Sequence, residues 1–113
     1  MARADRLARL DAQREEREAE YRTLLIAALE RAAAGSWGLF AHTADKARKA
    51  AWELAVTQLC DLGAEIDDMR ERLGLEPFAL HHEFEASRGP VPSTAPGEPR
   101  QARAWLERLV RQV

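Results

Sequence analysis

The stretch "AWELAVTQLCDLGAEIDDMRERLG", residues 51–74, decides the fold class. Its apolar residues recur at alternating steps of three and four, the spacing that lines one face of an α-helix. The repeat consists of Trp52, Ala55, Leu59, Leu62, Ile66, Met69 and Leu73, widened by Val56 and Cys60. Such a stripe is buried against neighbouring helices, either in an intramolecular bundle or in a coiled coil. The stretch ends at Gly74, the residue type that most often caps a helix in the left-handed conformation.

The segments on both sides of this stretch have helical patterns too, and none alternates apolar and polar residues as a strand does. We expect helices over residues 2–34, 43–73, 77–88 and 99–112. Thr43 is expected to cap the second helix, and Pro77 and Pro99 to begin the third and fourth. The sequence therefore predicts an all-α protein: a long antiparallel helical hairpin, a short third helix and a C-terminal amphipathic helix, together a small helical bundle.

The two halves of the first helix differ in composition. Its second half carries one core-facing apolar stripe, whereas residues 1–20 are mostly charged, polar or alanine apart from Leu7 and Leu10. We divide the chain into a charged helical extension at 1–20 and a helical domain at 21–113, with a Pro/Gly-rich loop at 88–99.

The connection between the first two helices contains the stretch "GSWGLF", residues 35–40. Gly35 and Gly38 permit a tight reversal. Trp37 and Phe40 then either plug the end of the hairpin, which we favour because large exposed apolar patches are uncommon on monomers, or form a surface for a partner. The candidate interaction surface comprises Trp37, Phe40, Trp105, Arg103 and Arg108.

Residues 66–84, "IDDMRERLGLEPFALHHEF", resemble the helix-turn-helix of bacterial transcription regulators. The matching positions are Leu73, Gly74, Leu75, Glu76, Pro77, Leu80 and Phe84. The resemblance implies a DNA-reading unit at residues 66–88. Arg70 departs from the family pattern, which has a small residue there. Residues 61–88 hold three basic against eight acidic side chains, a net charge of −5 that duplex phosphates would repel, so we expect nucleic acid to be an unfavoured partner.

One group of carboxylates has the spacing of a metal site. Asp61, Glu65 and Asp68 lie on one face of the second helix, where carboxylates can bind a divalent cation. However, Asp68 and Arg72 are four residues apart, as in an ordinary exposed ion pair, and no Glu-x-x-His element accompanies the three acids. The carboxylates therefore form an incomplete set.

Two adjacent histidines form the second candidate site. His81 and His82 point about 100° apart on a helix, so we expect one to pack and the other to meet solvent. Glu85 follows His81 at a step of four, but zinc usually needs three or four ligands. We expect no cofactor, no bound metal and no enzymatic activity.

Composition restricts the compartment and the partners. The chain has 113 residues, enough for one domain, and a formal net charge of −2, which creates no attraction to nucleic acid or anionic membranes. The one cysteine, Cys60, cannot form an internal disulfide, and no apolar run approaches the ~20 residues of a membrane span. Arginine far exceeds lysine, which we take as the mark of a GC-rich bacterial genome.

These observations favour a cytoplasmic, non-enzymatic protein–protein interaction or assembly module, with self-association into a homodimer or binding to another protein. A DNA-associated regulator using residues 66–88 and a metal-dependent enzyme using the carboxylates of the second helix are the alternatives.

Overall fold

The computed structural model describes residues 2–34, 41–87 and 99–111. These residues form four helices: α1 (Ala2–Ala33), α2 (Ala41–Arg72), α3 (Ala79–Ser87) and α4 (Pro99–Arg111). Within the described ranges there is no strand. The predicted all-α bundle is confirmed, with α1 and α2 as a long hairpin, α3 as the short third helix and α4 packed on α1.

Two predicted helix starts are wrong by two residues. α2 begins at Ala41, so Thr43 lies inside the helix and is not its cap. α3 begins at Ala79, so Pro77 precedes it. The backbone N–H of Phe78 donates to the Asp67 carboxylate of α2 (2.8 Å). The start of α3 is therefore held by a side chain from another helix, and a proline is not needed to set it.

The predicted stop of α2 is confirmed. Gly74 has a φ of 71°, which is the left-handed region that favours glycine. Its N–H donates to the Glu71 carbonyl (3.0 Å), and the Leu75 N–H donates to the Arg70 carbonyl (2.8 Å). This pair of hydrogen bonds is the Schellman motif, and it turns the chain sharply from α2 toward α3.

All four helices contribute to one hydrophobic core. Its buried members are Tyr21, Leu25, Leu29 and Ala32 from α1, Val56, Leu59, Leu62 and Ile66 from α2, Phe84 from α3, and Ala102, Trp105 and Leu109 from α4. The ring of Phe84 lies edge-on to Trp52 and Trp105, with centroids 6.0 and 6.1 Å apart. The core thus fixes α3 between α2 and α4.

The first part of α1 extends beyond this core. Residues 2–9 are all exposed, and Leu7 has 41% of its surface accessible, while Leu10 is half-buried. Residues 2–10 are called the N-terminal arm below. Leu7 lies 14 residues before Tyr21, about four helical turns, and Leu10 lies 11 residues before it, about three turns. Both leucines therefore continue the core-facing stripe of α1 past the end of the core.

Among the helices that the structure describes, none combines the length and the apolar character needed to cross a membrane.

Candidate functional site

A buried histidine lies where α1, α2 and α3 meet. His81 is 3% exposed and faces inward with Phe84, which follows it by three residues on α3. Its Nδ1 is 2.8 Å from the Tyr21 hydroxyl, and its Nε2 is 3.1 Å from a Glu85 carboxylate oxygen. In the tautomer with the proton on Nε2, Tyr21 donates to Nδ1 and His81 donates to Glu85. Both ring nitrogens are then satisfied, as buried polar atoms require.

Gly63 makes room for this histidine. A methyl group at Gly63 would overlap the His81 ring, so any side chain at that position of α2 would displace the ring. The missing side chain of Gly63 thus lets α3 approach α2 closely, and the group that fills the space is an imidazole.

Cys60 joins the same cluster. Its Sγ lies 3.8 Å from the Glu85 carboxylate oxygen that also accepts from His81. The sequence predicts on which side of α2 Cys60 lies. It does not predict the contact with Glu85, because the two residues are 25 positions apart in different helices. Within the described part of the chain, no group of three or more His, Cys, Asp or Glu side chains has an arrangement that could hold a metal ion.

Burial changes the acidity of Tyr21. The side chain has no accessible surface, and this desolvation raises the pKa of its hydroxyl, with the nearby Cys60, Glu85 and Asp67 acting in the same direction. Tyr21 therefore remains a neutral hydroxyl at any physiological pH, and it can keep donating its proton to His81.

The second histidine has a different environment. His82 is exposed, and its Nε2 is 2.6 Å from Asp67, the residue that also accepts from the Phe78 N–H. The prediction that one histidine packs and the other meets solvent is confirmed. Asp67 serves both contacts, so it connects the start of α3 to α2.

Arg70 connects α1 and α2 to the turn between α2 and α3. Its guanidinium donates to Glu18 of α1 (2.7 Å) and to the Glu76 carbonyl, and it lies 6.0 Å from the centre of the Phe78 ring. Glu18 also accepts from Arg14, and these three charged side chains are only 15–20% exposed. The large residue at the position where helix-turn-helix proteins have a small one thus organises the junction through ion pairs.

A groove lies beside this junction, between α1 and α3. Its volume is about 450 Å³ and its lining consists of Glu18, Ala19, Arg22, Phe78, Ala79, Leu80 and Glu83. Four of these residues are apolar: Phe78 and Leu80 are half-buried, and the two alanines are exposed. The other three are charged. Glu83 pairs with Arg108 of α4 (2.5 Å), and Arg22 donates to the Leu109 carbonyl (2.8 Å). We call this the α1–α3 groove.

The predicted interaction surface is only partly available. Trp37 and Phe40 lie outside the described residues. Trp105 belongs to the core, because it packs against Phe84 and is only 9% exposed, so the expectation that it faces a partner is corrected. Arg108 covers it, with its guanidinium 4.3 Å from the Trp105 ring centre, and Arg103 is exposed.

The three carboxylates of α2 that have the spacing of a metal site, Asp61, Glu65 and Asp68, are exposed. Glu65 lies 3.2 Å from Arg17 of α1, and Asp68 lies 3.9 Å from Arg72. The ion pair predicted for Asp68 and Arg72 is present. Glu65 thus serves the contact between α1 and α2.

Three residues of α3 are exposed and polar: His82, Glu83 and Glu85. In a DNA-binding helix-turn-helix, the helix after the turn enters the major groove. The two exposed carboxylates of α3 would repel phosphate.

Comparison with protein-family models, with curated proteins and with solved structures found no match to this chain.

Proposed function

We propose that the protein is a non-enzymatic interaction module that associates with a second copy of itself. The observation that carries the proposal is the N-terminal arm: α1 continues as a helix through residues 2–9 with every residue exposed, while Leu7 and Leu10 continue the stripe that the core uses. A helix of this kind gains little stability alone, because its ion pairs contribute only about 0.2–0.5 kcal/mol each. A partner helix or groove would supply the missing burial.

The energetics require a surface besides the arm. Burying a fully exposed leucine contributes about 1.5–3 kcal/mol, so four leucines from two arms give at most roughly 6–12 kcal/mol, since Leu10 is already half-buried. Association costs about 4–15 kcal/mol before any affinity appears. Two arms alone are thus marginal, and a stable dimer needs further apolar surface from the bundle. Such surface is offered by Leu75, which is 40% exposed at the turn after α2, and by the apolar lining residues of the α1–α3 groove.

The contacts of the titratable groups favour a structural role over a catalytic one. His81 is occupied by Tyr21 and Glu85, and His82 by Asp67. The contact with Tyr21 joins α3 to α1, and the contact with Asp67 joins α3 to α2, whereas Glu85 lies beside His81 on α3 itself. These side chains therefore support a rigid junction, which suits a protein that presents a defined surface to a partner.

The compartment that we propose is the cytoplasm of a bacterium. Cys60 is the one cysteine of the sequence and is half-buried beside the Glu85 carboxylate, and a reducing environment suits a thiol that has no second cysteine for an internal disulfide.

Sedimentation velocity over a wide range of protein concentrations tests self-association. We expect a dimer whose fraction rises with concentration and which Leu7→Asp weakens. Leu54→Asp is the matched control, because Leu54 is an exposed leucine of α2, 62% accessible, away from the arm. A single monomeric species at every concentration would overturn the proposal.

A further inference from the structure

Two surfaces of the chain have complementary chemistry and cannot meet within one molecule. The N-terminal arm and the residues Glu18, Ala19 and Arg22 of the α1–α3 groove belong to the same continuous helix. From Leu10 to Ala19 the axis rises by about 13 Å, and a straight helix cannot fold back across that distance. Only another molecule can bring an arm to this groove.

The charges of the two surfaces are opposite. The arm holds three arginines and one aspartate, a net charge of +2, and these four residues are exposed. The lining of the groove holds Glu18 and Glu83 against Arg22, a net charge of −1. Glu18 is paired with Arg14 and Arg70, whereas Glu83 keeps half of its side chain accessible beside Arg108. Complementary charge of this kind steers two surfaces together and fixes their orientation.

The apolar parts of the two surfaces also correspond. Leu7 and Leu10 are three residues apart, so they project from one side of the arm. The groove offers Phe78 and Leu80 as half-buried apolar contacts, and Ala19 and Ala79 as small exposed residues that let a helix approach.

We propose that the α1–α3 groove of each molecule receives the N-terminal arm of a second copy, with Leu7 and Leu10 against its apolar lining residues and the arginines of the arm toward Glu83. This inference rests on the self-association proposed above, and it identifies the arm and the groove as the two surfaces that form the dimer interface. Because each copy has one arm and one groove, a reciprocal exchange closes as a two-fold symmetric dimer.

A substitution in the groove tests the receiving surface. Ala19→Arg places a bulky positive charge in the lining of the groove, and we expect it to raise the dimer Kd at least tenfold. Ala64→Arg is the control, since Ala64 is also an exposed helical alanine but lies on α2 outside the groove. Wild-type dimerisation of Ala19→Arg, with its fold intact by circular dichroism, overturns the inference.

Cross-linking between copies tests the contact without a disruptive charge. In a Cys60→Ser background, a Leu7→Cys chain is mixed with a larger, tagged Ala79→Cys chain and oxidised. We expect the mixed disulfide to exceed both self-linked products, and we expect no comparable product when Ala64→Cys replaces Ala79→Cys. Preferential Leu7→Cys self-linking, or equal linking to the Ala64→Cys chain, overturns the inference.

The two levels of the proposal fail differently. If the protein dimerises and Leu54→Asp rather than Ala19→Arg prevents it, the interface lies on α2, so this inference is wrong while self-association stands. If every variant and the wild type stay monomeric, both are wrong.

Discussion

The two halves of α1 are parts of one unbroken helix with opposite surroundings. The later half buries Tyr21, Leu25 and Leu29 completely, whereas the arm leaves every residue from 2 to 9 exposed. Both halves place apolar residues on the same side of the helix. The apolar stripe of α1 therefore shows which side of the helix is buried. It does not show how far along the helix the burial continues, because that depends on how far α2 and α4 extend beside α1.

The largest effect is expected from truncating a leucine in the buried half. Leu25→Ala should lower the free energy of unfolding by about 2–5 kcal/mol, because it removes buried apolar surface and leaves a cavity. Leu7→Ala, the same change in the arm, should alter it by less than about 0.5 kcal/mol in the monomer. Urea unfolding at low protein concentration measures both. Equal losses would show that the arm packs within its own molecule.

A second large effect is expected where α1, α2 and α3 meet around His81, next to the buried half of α1. Gly63→Ala should destabilise the protein by about 1–3 kcal/mol through overlap with His81, even though alanine favours a helix by about 1 kcal/mol. In a His81→Ala background the overlap is gone, and the same change should stabilise the fold. Thermal unfolding of the wild type, the two single variants and the double variant measures the coupling free energy between positions 63 and 81. Additive effects would contradict the proposed contact.

Tyr21, the first fully buried residue of α1, should make stability depend on alkaline pH. Burial raises the pKa of its hydroxyl above the usual value of about 10, so the native state retains a proton that the unfolded chain loses. The stabilisation is therefore complete below about pH 10 and declines above it, by up to ~1.4 kcal/mol per pH unit.

This alkaline loss can be assigned directly, because Tyr21 is the single tyrosine of the chain. Ultraviolet absorbance should detect no tyrosinate near pH 10 while the protein is folded. Tyr21→Phe removes this pH dependence and serves as the control. Ordinary titration near pH 10 in the native state would contradict the burial.

The smallest effect is expected from the charged residues between the halves. Glu18→Gln weakens the contacts with Arg14 and Arg70 and should cost up to about 1 kcal/mol, less at high salt. Glu16→Gln, an exposed neighbour on the same helix, should have a smaller effect. Chemical unfolding at low and high salt distinguishes them. A Glu18→Gln effect that is independent of salt would argue against the ion pairs.

Much of the fold follows from local sequence signals. The heptad pattern of residues 51–74 and the glycine at its end predict α2 and its stop, because both depend on residues within a few turns. The start of α3 does not follow from Pro77, since the Asp67 side chain that caps it lies 11 residues away in another helix. Thr43 has a capping side chain but lies within α2, because the helix extends two residues further.

The candidate site could be predicted less well, because its contacts join distant parts of the chain. The Tyr21–His81 hydrogen bond spans 60 residues, and helical periodicity does not determine which faces of different helices meet. Glu18 has the spacing to pair with Arg22, yet it contacts Arg14 and Arg70, and Arg22 donates to a carbonyl of α4. Trp105 lies on the apolar side of an amphipathic helix, a pattern that fits either a core or a partner surface. Its packing against Phe84 shows that it belongs to the core.

The fit of the His81 ring against Gly63 has a consequence for the evolution of this chain. A side chain at position 63 and an imidazole at position 81 exclude each other sterically, while a glycine at 63 without the ring leaves a void. Selection for stability thus acts on the pair rather than on either residue. In relatives of this protein, positions 63 and 81 are expected to covary, with histidine retained only where glycine faces it.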